Sequence, residues 1–332
     1  GPDTLVILGA GIAGWATAEA VRRRDPQRPI LLVSACAGKV YSKPALSVAM
    51  GKGLSAEDLV EKTAEEMAAE LGIDVRPNTR VLRIDRGRKR LVAAKGGIEY
   101  GQLVMAVGAR QRKLPVQGNA AKEMLGVNDL SSYKTLREKL EAGVEHVTIV
   151  GAGLVGVEFA EDLIAGGKQV TVLDMADGPL ASLLPGPVSH QLQQRLADKG
   201  VTWRFNTGME SLEKDENHYT AMLTDGTELE TDLVISAAGL EVLSELAEKS
   251  GLDVNRGICV NEQMRTNDEN IFAVGDCAEL NGHIYAYIEP IRRQAETIAA
   301  AINGENQPFE SKAPVVRVKS PSPVTYTHLR AH

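Results

Sequence analysis

The sequence is short of thiols, of aromatic residues and of positive charge. Its three cysteines, Cys36, Cys259 and Cys277, are far apart in a chain of 332 residues. That spacing excludes a CxxC pair, a zinc site built on one, and a disulfide framework. So low a count fits a reducing compartment, the cytoplasm. The six histidines, His146, His190, His218, His283, His328 and His332, show no ligand spacing, so no metal is expected. Aromatics make up 4% of the chain against 32 glycines, a balance that suits α/β folds with many tight turns. Lys and Arg number 37 against 44 Asp and Glu, a net charge of −7. A general nucleic-acid partner is excluded on that ground, because phosphate binding needs a basic footprint. One apolar run, Leu5 to Val21, has the length of a leader. Gly9, Gly11, Gly14 and Glu19 interrupt it and no basic region precedes it, so strand, turn and helix explain it better. No other window approaches a membrane span. The Gly1-Pro2 start, with no Met, reads as a protease scar.

What is present is a soluble, globular composition, 43% hydrophobic and 24% charged. The length predicts two domains with a piece of a third. One device occurs twice. Leu5 to Leu8 is an apolar strand, "GAGIAG" (Gly9, Ala10, Gly11, Ile12, Ala13, Gly14) follows, a helix runs to about Arg24, and "PILLVSA" ends at Ala35. Val147 to Val150 then leads into "GAGLVG" (Gly151, Ala152, Gly153, Leu154, Val155, Gly156), a helix to about Ala165, and "QVTVLD" ending at Asp174. A single GxGxxG is a weak signal; two, each between a strand and a helix, are strong. The first Gly permits the turn, the second lets backbone approach a pyrophosphate, and the third lets helix pack on strand. The helix N-terminus offers free N–H groups to the phosphates.

The two copies differ at the end of the second strand. Asp174 lies 23 residues after Gly151, where an acid holds a ribose hydroxyl, and no Arg follows until Arg195. That favours NADH over NADPH. The first copy has Ser34-Ala35 instead, leaving a serine hydroxyl or backbone groups for the ribose.

Three further strands run into small-residue turns. They are "LVMAVGAR" (Leu103 to Arg110, with Ala106 and Gly108 in the turn), "TDLVISAAGL" (Thr231 to Leu240, with Gly239) and "NIFAVGDCA" (Asn270 to Ala278). The last delivers Asp276 at a strand end. There it can take hydrogen bonds from a ribityl chain, cap a following helix that points its dipole at the ligand, or do both.

GAGIAG, AVGA, GAGLVGVEFAE, SAAGL and VGDCA, in that order, resemble the FAD-dependent pyridine-nucleotide disulfide oxidoreductase superfamily over nearly the whole chain. "YSKPALS" (Tyr41 to Ser47), "NDL" (Asn128 to Leu130) and "MRTNDENIFAVGDCAE" resemble its rubredoxin reductase and flavorubredoxin reductase branch. The resemblance implies an α/β chain of two Rossmann-like dinucleotide-binding domains. A discontinuous FAD domain would comprise residues 1–110 and 237–306. An NAD domain, 111–236, would be inserted in it, and 307–332 would open a truncated C-terminal domain. It implies FAD contacts at Ala10 to Ala13, Ser34, Ala35, Lys43, Val81, Glu158, Asp276, Ile288 and Lys319. It also implies that Lys43 and Glu158 pair beside the reactive edge of the flavin; an ordinary interdomain salt bridge is the bland alternative.

Disulfide-reducing and peroxide-reducing relatives keep a cysteine in the loop that is "YSKPALSVAM" here, and this loop has none. Cys36, on the adenosine side, reads as a loop or packing residue, and Cys259 and Cys277 read as small buried hydrophobes. Electrons are then expected to leave the flavin directly, one at a time, for a small iron carrier of the rubredoxin or ferredoxin type. Such carriers are acidic, so a local basic patch is expected. Arg292 and Arg293 after "YIEP" are preferred to Arg22–Arg24 with Arg28, to the hairpin tip Arg86–Arg90, and to Arg110, Arg112 and Lys113. Other readings are a ferredoxin reductase of an oxygenase or nitrite-reducing system, an NADH oxidase or peroxidase, and a nucleotide-dependent switch without catalysis.

Overall fold

A computed structural model of the chain describes residues 3–216 and 218–312 and the backbone of 315–318 and 324–327. In chain order, the elements that position the site are β1 (Leu5–Leu8), α1 (Ile12–Arg24), β2 (Ile30–Val33), β3 (Asp74–Arg76), β4 (Gln102–Met105), β5 (Leu125–Gly126), α2 (Leu130–Glu141), β6 (His146–Val150), α3 (Leu154–Ala165), β7 (Gln169–Asp174), β8 (Val201–Phe205), β9 (Leu233–Ser236), β10 (Ile271–Ala273) and α4 (Ile288–Ile302).

They fall into two compact units. The first draws on residues 3–42, 60–110 and 241–311, the second on 43–59 and 111–240. The chain therefore leaves the first unit and returns to it. One segment differs from the sequence expectation: Lys43–Leu59 clusters with the second unit, although it lies within the first FAD segment by sequence. The cause is a set of hydrogen bonds to α3, described below.

In the first unit, five parallel strands are ordered β10-β4-β1-β2-β3. In the second, five parallel strands are ordered β5-β9-β6-β7-β8. Each sheet has a glycine-turn strand at its centre, with the next strand of its unit on one side and the returning strand on the other. The order reverses at that central strand, and such a switch point opens a crevice at the strand ends. Central strands of parallel sheets are covered on both faces, so they read as unbroken apolar runs. Leu5, Val6 and Ile7 are fully buried, as are Val147 and Ile149.

The glycines make the turns possible. Gly9 and Gly151 have φ of +121° and +117°, conformations that L side chains rarely adopt. A Cβ on Gly14 would fall far inside contact with the Gly9 carbonyl, and one on Gly156 would do the same to Gly151. These are the close helix–strand approaches the motif requires. Gly14→Ala is expected to lower the stability of the first unit by about 1–3 kcal/mol, the usual cost of overpacking. A urea titration followed by circular dichroism checks it, and an unchanged midpoint would mean that α1 can shift freely.

Candidate functional site

The middle glycines behave differently from their neighbours. A Cβ on Gly11 or on Gly153 meets nothing within 4 Å. Gly11 caps α1 and Gly153 caps α3, both with extended backbone and neither with a side-chain cap. Neither cap residue offers a side chain to the first N–H groups of its helix, and the space beside each cap Cα is open. Open space at the second glycine and crowding at the first and third are what a pyrophosphate cradle needs. Both turns fit a dinucleotide on that test.

Around the first turn, β1 and β4 bring Gly9 against Ala106, whose carbonyl a Gly9 Cβ would strike. Gly108 has φ +74° and open space where a side chain would point. Ala10 and Ala13 are buried and Ile12 half-buried. Ser34 is buried and its hydroxyl accepts from the Cys36 amide at 3.2 Å, so it is already engaged in a local turn. Ala35 and Cys36 are exposed, and Val81 is half-buried on a short strand, Val81–Asp85.

Asp276 corrects an expectation. No long helix follows it: it sits in a three-residue 3-10 helix, Gly275–Cys277, that passes straight into a strand, Ala278–Leu280. Gly275 needs its φ of +79°, and its N–H donates to Oε1 of the fully buried Gln294 on α4 at 2.9 Å. That long-range bond sets the turn, and sequence gave no signal of it. Ile288 is the first residue of α4. Lys319 lies outside the described residues.

Around the second turn, Asp174 ends β7, where the ribose contact is expected. Its carboxylate accepts from the Ala152 amide at 2.6 Å and the Ala176 amide at 2.8 Å, bracing the glycine loop itself. Gly156 is buried, Leu154 half-buried, and Gly239 takes φ +116° over open space.

Five large hydrophobic side chains are exposed among the described residues: Leu82, Val155, Met175, Leu240 and Tyr287. Each is, or adjoins, a residue predicted from sequence to touch a nucleotide: Val81, Val155, Asp174, Gly239 and Ile288. Met175 is 65% exposed.

Glu158 lies on α3, only 3% exposed, and accepts from the Ser47 hydroxyl at 2.6 Å. Ser47 closes the 3-10 helix Lys43–Ser47, so the helix that starts with the half-buried Lys43 is fastened to Glu158 through its last residue. Both belong to the second unit.

The cysteines divide. Cys277 is fully buried and burial pushes its thiol up to about 11. Cys259 is only part-buried, which corrects the expectation, because its short strand Ile258–Val260 has a half-covered face. Cys36 is exposed, with its sulfur 3.2 Å from the Ser34 hydroxyl. Among the described residues no group of three or more His, Cys, Asp or Glu could hold a metal ion, and no helix is long and apolar enough to cross a membrane.

A family model described as pyridine nucleotide-disulphide oxidoreductase matches residues 3–304. The chain is 38% identical over 319 residues to a rubredoxin-NAD(+) reductase of Alcanivorax borkumensis, covering 96% of this chain and 83% of the relative. It is 35% identical over 320 residues to a nitric oxide reductase FlRd-NAD(+) reductase of Vibrio vulnificus, covering 96% and 84%. Among solved structures, the ferredoxin reductase for the CYP199A2 system of Rhodopseudomonas palustris superposes with a TM-score of 0.90 at 29% identity, over 97% of this chain and 81% of that one. The reductase in a covalent putidaredoxin reductase–putidaredoxin complex gives 0.87 at 30%, over 96% and 79%. With paired glycine cradles, matching sheet orders and a family match across most of its length, the chain belongs to the pyridine nucleotide-disulphide oxidoreductase family.

Proposed function

We propose that the protein passes electrons from NADH, through FAD, to a small iron carrier of the rubredoxin type in the cytoplasm. One observation carries this reading: two complete nucleotide cradles coexist with a Tyr41–Met50 segment that holds Lys43 and no cysteine. A thiol relay has no residue there, so a bound flavin would serve the acceptor without one. NADH and two oxidised carriers give NAD+, two reduced carriers and a proton. Bound FAD supplies the conversion between a two-electron donor and one-electron acceptors.

The chain's own residues bind, orient and tune. The α1 N-terminus at Gly11 to Ala13 holds the FAD pyrophosphate, with Gly9, Ala10, Gly14, Ala106 and Gly108 shaping the approach. Asp276 accepts from the ribityl hydroxyls, and Ser34, Ala35, Val81 and Ile288 complete the contact, with Lys319 a further contact by resemblance. Gly151, Gly153, Leu154, Val155, Gly156 and Gly239 hold NADH, and Asp174 keeps lone pairs for the ribose beyond the two amides it braces. Lys43 would place a positive charge beside a bound flavin, with Glu158 as its partner. A buried carboxylate needs such a partner.

The carrier docks near Arg292 and Arg293. Arg293 is engaged within the unit, pairing with Glu289 at 2.5 Å and lying over the Phe309 ring. Arg292 is exposed and is the cation more open to a partner. Arg292→Glu is expected to lower kcat/KM for the carrier roughly 3–10-fold at low salt and to flatten its salt dependence, as rim charges do. Ferricyanide reduction should be unaffected, and equal loss of both activities would contradict docking there.

A second reading, the ferredoxin reductase of an oxygenase system, is favoured by the likeness to the two reductases with TM-scores of 0.90 and 0.87. Anaerobic mixing of the FAD-loaded protein with NADH and either rubredoxin or a two-iron ferredoxin tests both. Two carriers should be reduced per NADH. Failure to reduce either faster than free FAD does would overturn the function.

A further inference from the structure

The α3 helix carries three buried carboxylates; Glu161 pairs with Lys199, while Glu158 and Asp162 lie one turn apart and share a face. Asp162 is only 6% exposed. Its Oδ2 accepts from the Met50 amide at 3.0 Å and its Oδ1 from the Gly51 amide at 2.6 Å. On the segment that docks there, Ser47 reaches Glu158 and the next turn reaches Asp162, so two successive turns of α3 each grip the chain that begins at Lys43.

The fit is close. A Cβ on Gly51 would come within 2.8 Å of Asp162 Oδ1, and one on Gly166, the C-cap of α3, would come within 2.5 Å of the Met50 sulfur. A side chain at either place would have to push the Asp162 carboxylate or the Met50 side chain aside. Arg137 of α2 donates to the Leu54 carbonyl at the far end of the same segment and to the Tyr133 hydroxyl. Burial pushes the Asp162 carboxyl above its usual range. The Gly51 and Met50 amides and the Arg137 charge pull it back down, and Glu161 beside it pushes it up. Bonds from amides to a carboxylate are charge-assisted and strong. Without those two amides the charge would be buried and poorly satisfied, so carboxylate and turn stabilise one another.

We propose that Asp162 is a positioning residue for flavin reduction: by gripping the Met50 and Gly51 amides it fixes the 3-10 helix that presents Lys43. The inference rests on the role given to Lys43 above. Asp162 touches neither nucleotide turn; about two and a half helical turns separate it from Gly153.

The test uses the full chain loaded with FAD and anaerobic stopped-flow reduction by NADH. Asp162→Ala is expected to lower the limiting reduction rate about tenfold, a factor that corresponds to 1.36 kcal/mol of barrier. Asp162→Asn, which keeps one acceptor oxygen, is expected to lie between it and the parent. The Kd for NADH and the FAD content should stay within about twofold of the parent, because both nucleotide turns are untouched. A merely structural Asp162 would lower the melting temperature and the FAD content, and the holoprotein that remained would be reduced at the parent rate; that result overturns the proposal. If Asp162→Ala does not fold, Asp162→Asn decides by the same rate. Lys43→Met is measured in parallel. If it is slow and the Asp162 variants are not, the positioning role fails alone. If it is reduced at the parent rate, the reading of Lys43 fails and the positioning role falls with it.

Discussion

Gly153→Leu is expected to leave a folded protein that still binds FAD and that NADH barely reduces. The geometry separates this glycine from its neighbours. Its backbone is extended, with φ −77°, which any residue adopts, and a Cβ there meets no atom of the protein within 4 Å. The fold therefore tolerates the change. The new side chain occupies the space in front of the α3 N-terminus that the pyrophosphate of NADH would take. Loss of those phosphate contacts should cost at least about a hundredfold in kcat/KM, equivalent to about 2.7 kcal/mol, expressed mainly in KM. Gly156→Leu is the contrasting variant. Its side chain would collide with the Gly151 carbonyl, so it should fail to fold the second unit rather than fail to bind. Titration with NADH and a thermal melt distinguish the two. A Gly153→Leu protein reduced within tenfold of the parent would show that NADH does not lie on this turn.

The second large effect belongs to Lys43. Lys43→Met removes the cation assigned to the reduced flavin and keeps the bulk of the aliphatic stem. If the charge stabilises the anionic reduced form, its removal makes the flavin harder to reduce, so the midpoint potential falls and reduction by NADH slows. Losing one preorganised donor aimed at developing charge costs roughly 100–1,000-fold in rate, and a half-buried lysine is expected to fall below most of that range, at about 10–100-fold. Lys43→Arg should recover part of the loss. Unchanged potential and unchanged rate in Lys43→Met would remove this residue from the mechanism.

The cradles were legible because their signal is local. A positive-φ glycine, a helix cap and a third close glycine follow one another within six residues, and periodicity marks the strand before and the helix after. β1, α1, β7 and the ends of α3 accordingly lie where the sequence places them. What could not be read depends on residues far apart in the chain. The resemblance implied that Lys43 meets Glu158, but nothing around Ser47, Met50 or Gly51 announces the bonds that Ser47 makes to Glu158 and the two amides make to Asp162, more than a hundred positions away. Those bonds draw Lys43–Leu59 into the second unit against the order of the sequence. Gln294 is equally silent, an amide in a helical pattern until its oxygen is found on Gly275. Asp276 shows the converse error. An acid at a strand end suggests a helix cap, but the chain spends three residues in a 3-10 turn and returns to strand. Arg293 was legible as a cation and not as one already paired with Glu289.

Whether electrons leave the flavin for a protein carrier is decided by sequential-mixing stopped-flow. The FAD-loaded protein is reduced anaerobically with one equivalent of NADH and then mixed in parallel with rubredoxin, with a two-iron ferredoxin and with oxygenated buffer. Rapid flavin reoxidation by rubredoxin, or by ferredoxin under the second reading, is expected, with two carriers reduced per flavin and slow reaction with oxygen. Fast reoxidation by oxygen alone, with both carriers left oxidised, would contradict that expectation.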